Sequence, residues 1–222
     1  MKNARIKARS VLSLLRALVP QRETTFIEAL RIAELQAQRF LREFGVDVGP
    51  VSEDLLLQLP RLTIEYVARM PTSGCSFWDT GRTTWVIQVN SDEPATRQRF
   101  TMFHEYKHII DHGRAEVLYG SGHDAALHAE QTADYFAGCV LMSRPFMKRA
   151  WGSGFQTAAQ LADIFDVSSV AASVRIAQIG LADGPQSASP ARPLPFARSN
   201  PRRSGRYHRQ YSTRAFVLQE AL

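Results

Sequence analysis

Residues 100–112 read FTMFHEYKHIIDH, which puts His104, Glu105, His108 and His112 into one short run. Four residues along an α-helix advance about 400°, so His104 and His108 share a face, one turn apart. Two imidazoles so spaced can hold one tetrahedral ion, with Glu105 beside them as a base. A chance HExxH in a chain this long is an event on the order of 1 in 100. The motif therefore needs a third ligand from elsewhere before it is a site.

A catalytic zinc takes three protein ligands and keeps one position open. His112 lies about 80° around the helix from His104, too far from an ion held by the first pair; at a helix end its charge suits the dipole. His123 follows a Gly-Ser-Gly loop that does nothing to fix it. Glu130 and Asp134 form an ExxxD pattern on one face of ALHAEQTADYFAGCVLM, beside Ala133 and Ala137, whose small side chains permit close helix packing. If that helix crosses the HEYKH helix, Glu130 reaches the metal. Asp134, one turn on, then accepts the proton of a ligating histidine's back nitrogen, which orients the ring and raises its basicity. His128 lies about 200° from Glu130 on the same helix and points elsewhere.

Such a site would hydrolyse an amide. A zinc ion lowers the pKa of a water in its open position to about 7, and Glu105 can take that proton and hand it to a leaving amine. A further donor for the oxyanion is expected, for which Tyr119, His123 and Tyr66 are candidates that the sequence does not separate.

The elements that must carry these residues are legible as patterns. Thr25 and Glu28 form a capping box for a helix that runs to Gly45. A short helix from Ser52 ends at Pro60. RLTIEYVARM alternates as a half-buried strand does, and GCSFWD and RTTWVIQVN flank Thr80-Gly81 as a hairpin, in which Trp78 and Trp85 pack. TTWVIQVN is either a sheet edge, along which a peptide could pair by its main chain, or a core strand. Ser91 and Pro94 open the HEYKH helix. GRAEVLYGSGHD reads as a loop before the ExxxD helix, which stops before Ser143 and Pro145. TAAQLADIFD and SSVAASVRIAQI are two shorter helices, the second capped by Ser168 and stopped by Gly180. Helices and strands are segregated, so the fold class is α+β.

The bulk numbers limit the surroundings. A chain of 222 residues with 45% hydrophobic content buries a real core as one domain, with room for a small second one. Two cysteines, Cys75 and Cys139, without a CxxC, fit a reducing cytoplasm and read as small buried hydrophobes. The opening MKNARIKARSVLSLLRALVP lacks a signal-peptide pattern, because Arg16 interrupts its apolar run and Pro20 follows without a small-residue cleavage site. It reads as a basic amphipathic helix, solvated or laid against a partner, and no stretch approaches the roughly 20 apolar residues of a membrane span. The expected organisation is a basic extension over 1–24, a peptidase domain over 25–151, helix-turn-helix-like helices over 152–182, and a basic tail over 183–222.

RQRFTMFHEYKHIIDH, EQTADYFAGCVLMSRP and LADIFDVSSVAASVRIAQIGL, in this order, resemble the ImmA/IrrE metallopeptidases, over roughly residues 30–181. The resemblance implies a compact HExxH zinc-peptidase fold with His104, His108 and Glu130 as ligands of one zinc ion and Glu105 as the catalytic carboxylate. Similarity to HExxH peptidases with a glutamate as third ligand gives Asp134 the place behind a ligating histidine. It also implies a protein substrate, typically a helix-turn-helix transcriptional repressor of a phage, mobile element or stress response. Many members have Gly before the second histidine. Lys107 stands there instead; it is expected to point away from the metal and to act on specificity or the surface.

The rival reading is a DNA-binding regulator with a structural or inactive metal site. It draws on the net charge of +6, the pI near 9.7 and the helix-turn-helix-like pair. Against it, SSVAASVRIAQI offers only Arg175 and Gln178 as long polar donors. The tail, with Arg202, Arg203, Arg206 and Arg209 among Tyr207, His208 and Tyr211, has a composition able to contact nucleic acid or an acidic protein.

Overall fold

The computed structural model describes residues 10–181. The expected tail contacts at Arg202, Arg203, Arg206 and Arg209 lie outside the described residues. In chain order the elements are α1 (Val11–Arg16), α2 (Phe26–Glu43), α3 (Asp54–Leu57), β1 (Leu62–Val67), β2 (Gly74–Asp79), β3 (Thr84–Asn90), α4 (Ala95–Asp111), α5 (Ala115–Tyr119), α6 (Ala125–Leu141), α7 (Arg144–Gly152), α8 (Ala158–Phe165) and α9 (Ser169–Ile179). The fold is α+β, as expected.

Local chemistry sets the helix ends. The Thr25 hydroxyl accepts from the Glu28 amide at 3.3 Å, and the Glu28 carboxylate accepts from the Thr25 amide at 2.9 Å. Thr157 and Gln160 repeat this capping box at α8, and Ser168 caps α9. Asp166 and Gly180 end α8 and α9 in the left-handed conformation, which Gly adopts without strain. Two expectations fall short. The segment read as a loop after His112 contains α5, held because Leu118 and Tyr119 are buried. Pro145, read as a stop, also sits in the first turn of α7, where a proline costs no hydrogen bond.

The sheet has the order β1-β3-β2, with β3 parallel to β1 and antiparallel to β2. TTWVIQVN is therefore the central strand, so of its two readings the edge is excluded: both sides of its backbone are already paired. Val86, Ile87 and Val89 are buried accordingly. The strand at the sheet edge next to the chemistry is β2. Trp78 and Trp85 face each other across the hairpin with ring centroids 5.4 Å apart.

The core joins α2, α4 and α6. Phe40 on α2 packs edge-on against Phe103 and beside Tyr106 of α4. Ala133 and Ala137 of α6 are fully buried, so this helix comes close to its neighbours as its small residues allow. The described part of the N-terminal extension packs with one side on the core. Leu15 is buried in the core, and Arg16 donates to the carbonyls of Ile109 (2.7 Å) and Ile110 (3.1 Å), acceptors that the end of α4 leaves open. The Arg99–Asp166 ion pair, at 2.8 Å, ties the end of α8 to α4.

Candidate metal centre

The crossing of α4 and α6 brings three donors together. Nε2 of His104 lies 3.2 Å from one Glu130 carboxylate oxygen, and Nε2 of His108 lies 3.3 Å from the other. The two Nε2 atoms are 3.1 Å apart. One donor atom from each of these three residues lies within 4.8 Å of the other two. This set fits a metal ion: two facing imidazole nitrogens and a carboxylate are satisfied together by one shared cation, and His₂Glu is a zinc-type donor set.

Nδ1 of His104 lies 2.8 Å from Asp134 Oδ1. A carboxylate there keeps the proton on Nδ1 and leaves the Nε2 lone pair facing the other donors. Burial works against charging His104, but Asp134, with Glu105 and Glu130, outweighs it and raises the pKa above the usual histidine value. Burial, followed by the neighbouring His104, lowers that of His108. Glu105 is nearly buried and faces the β2 side, where the Ser76 hydroxyl donates to its backbone carbonyl at 3.4 Å.

Gly74 makes this approach possible. A Cβ there would stand 2.5 Å from Thr101 Cγ2, 2.8 Å from the Gln88 carbonyl oxygen and 3.4 Å from Glu105 Cγ. Only a residue without a side chain lets β2 lie this close to α4. The resulting cleft, about 570 Å³, is bounded by Thr72 to Ser76 on one side and by Arg97, Phe100, Thr101 and the donor residues on the other.

Sequence reasoning missed Gly74, Cys75 and Ser76, which carry no chemical motif. Arg97 and Thr101 could have been found, since they precede His104 by seven and three residues on the same helical face. None of the three predicted oxyanion donors lines the cleft. The Tyr119 hydroxyl is buried and donates to Asp111 Oδ2, Tyr66 sits on β1 beyond the central strand, and His123 is exposed in the loop before α6. Side-chain donors that do line the cleft include Thr72, Ser73, Ser76, Thr101 and Arg97. His112 packs on Trp85 and His128 stacks on Phe26, so both lie away from the centre as expected.

Lys107 departs from expectation. It points away from the metal residues but not to the surface: it is fully buried, with Nζ 2.5 Å from Asp111 Oδ1. Burial lowers its pKa, and Asp111 opposes the change. The DNA-reading face is also missing from α9. Arg175 is only 1% exposed and donates to the Met142 carbonyl and to Gln178 Oε1, which leaves Gln178 as the one long polar side chain exposed on this helix.

A mixed fold with a His-His-Glu centre defines a metallopeptidase-like domain. The profile of the IrrE N-terminal-like domain, a peptidase family, matches residues 60–177, and the chain belongs to this family. Among solved structures, a Mycobacterium tuberculosis transcriptional regulator is similar at 15% identity with a TM-score of 0.49, covering 76% of this chain and 52% of that one. This chain thus spans about half that regulator's length. No curated protein matches it by sequence. Among the described residues no helix is long and apolar enough to cross a membrane.

Proposed function

We propose that this chain is a cytoplasmic zinc-dependent endopeptidase that cleaves a protein, specifically a helix-turn-helix transcriptional repressor. The observation that carries the reading is the convergence of His104, His108 and Glu130, with Asp134 behind His104. Family membership supports the reaction class; the repressor as substrate rests on the sequence resemblance.

His104, His108 and Glu130 would hold the ion. When bound, zinc supplies Lewis acidity, which polarises a peptide carbonyl and makes water acidic enough to react near neutral pH. Asp134 keeps the His104 ring turned toward the centre. Glu105, adjacent to His104 at the cleft wall, takes a proton on its carboxylate and returns it to the departing amine. The outer side of β2 has no strand partner among the described residues and borders the cleft. An extended substrate pairs there through its main chain, the role that TTWVIQVN cannot fill from the middle of the sheet.

The test is elemental analysis of purified chain together with cleavage of candidate repressors. About one zinc per chain, lost or weakened in Glu130→Ala, is expected. Glu105→Gln should retain zinc and lose cleavage, since it removes the proton acceptor alone. Full activity in Glu105→Gln, or no metal after zinc is supplied, would overturn the reading.

A further inference from the structure

A second and larger concavity, about 900 Å³, opens beside the metal cleft. Helices α2, α4, α6 and α9 each turn residues to it. On α6 the lining residues are 131, 134, 135 and 138, at i, i+3, i+4 and i+7, which is one continuous helical stripe, and Met142 follows at the helix end. Ile27 of α2 and Val170 and Val174 of α9 also line it and are 62%, 74% and 51% exposed. At the floor, a Cβ on Gly138 would meet nothing within 4 Å. Helix faces around an open trough with exposed apolar walls form a groove of the kind that an amphipathic helix fills through apolar residues at i, i+3, i+4 and i+7.

Charge and position narrow the occupant. Four arginines line the trough against two carboxylates, Glu34 and Asp134. Arg144 and Arg175 share Glu34, at 3.3 and 3.9 Å, Arg97 lies 3.8 Å from Glu93, and Asp134 is engaged by His104. Exposed Arg31, by contrast, makes no ion pair among the described residues. The wall is left net positive and favours acidic side chains. Arg97, Phe100 and Asp134 line both this trough and the metal cleft, so the two form one continuous surface.

We propose that the trough docks an amphipathic helix of the protein substrate, apolar on one face and flanked by acidic residues, next to the segment that is cut. The identity of the partner as substrate rests on the peptidase reading; the helix and its charge go beyond it. In this view the apolar face of α9, whose sequence looks like a DNA-recognition helix, serves protein recognition.

The test is fluorescence anisotropy with the full-length Glu105→Gln chain, which binds without cutting. The probe is a fluorescein-labelled peptide of about 16 residues, with Leu at helical i, i+3, i+4 and i+7 positions and Glu on the flanks. A Lys-flanked version and a shuffled version that breaks the periodicity are the controls. The acidic helix should bind best. Adding Gly138→Leu, which fills the floor, should weaken binding about tenfold or more, and Val174→Asp at an exposed position should do the same if the first variant folds poorly. Arg31→Glu should reduce or reverse the preference for Glu over Lys. Equal binding of the shuffled peptide, or no effect of either filling variant, would overturn the proposal. If the acidic helix binds the chain no better than it binds Gly138→Leu, the proposal fails; sedimentation then separates a second copy in the trough, seen as a concentration-dependent dimer, from another segment of this chain, seen as a monomer. Binding here does not require bond cleavage, so this result and that of the peptidase test can fail separately.

Discussion

Replacing Lys107 by Met tests the interior behind the metal helix. The ammonium is fully buried and its carboxylate partner, Asp111, is 5% exposed on its side chain, at an N···O distance of 2.5 Å. Tyr119 donates to the other Asp111 oxygen, so the three side chains form one closed polar group. Removing only Lys107 leaves a buried carboxylate with one neutral donor. Breaking such a pair costs about 3–5 kcal/mol. For a chain of this size a kilocalorie corresponds to about 2–4 °C, so the melting temperature should fall by about 6–20 °C. Thermal and urea denaturation, run with a chelator so that metal binding does not contribute, measures this. Replacing the whole group, as Lys107→Met with Asp111→Leu and Tyr119→Phe, removes the buried charges together with the hydroxyl that binds them. The triple variant should recover most of the loss, because apolar residues of similar volume often match or exceed a buried ion pair. A Lys107→Met cost under about 1 kcal/mol, the value of a surface pair, would refute the burial argument.

Two further substitutions bear on the site. Asp134→Asn should weaken zinc binding about 10–100-fold in competition with a chromophoric chelator, with little change in melting because the side chain is 62% exposed; unchanged affinity would remove its orienting role. Gly74→Ala drives a methyl group against the Gln88 carbonyl, a backbone atom that cannot turn aside, and should cost about 1–3 kcal/mol. It should also lower cleavage more than zinc affinity, since Glu105 lies against β2 whereas the donors sit on α4 and α6; equal losses in both would contradict that division.

Much of the centre could be read in the sequence because helical spacing is itself a distance. His104 and His108 at i and i+4, and Glu130 and Asp134 at i and i+4, each define a face before any tertiary contact exists. Caps, turns and the α+β class were legible for the same reason: Thr25–Glu28, Ser168 and Gly180 act on backbone within a few residues of themselves. Strand order depends on partners far apart in sequence. The alternation in RTTWVIQVN is compatible with an edge or a centre, and only its pairing with both β1 and β2 put it in the middle.

The sequence by itself determined which side chains could serve as donors and which helices carry them. The tertiary structure alone decided that α6 crosses α4 where Glu130 meets both histidines, that β2 closes the cleft through the bare backbone of Gly74, and that Lys107 turns into the core. It also withdrew Tyr119, Tyr66 and His123 from the cleft. The physical reason is range: periodicity fixes direction around one helix axis, but whether that direction meets solvent, a carboxylate or a neighbouring strand depends on packing between segments that the local pattern does not contain.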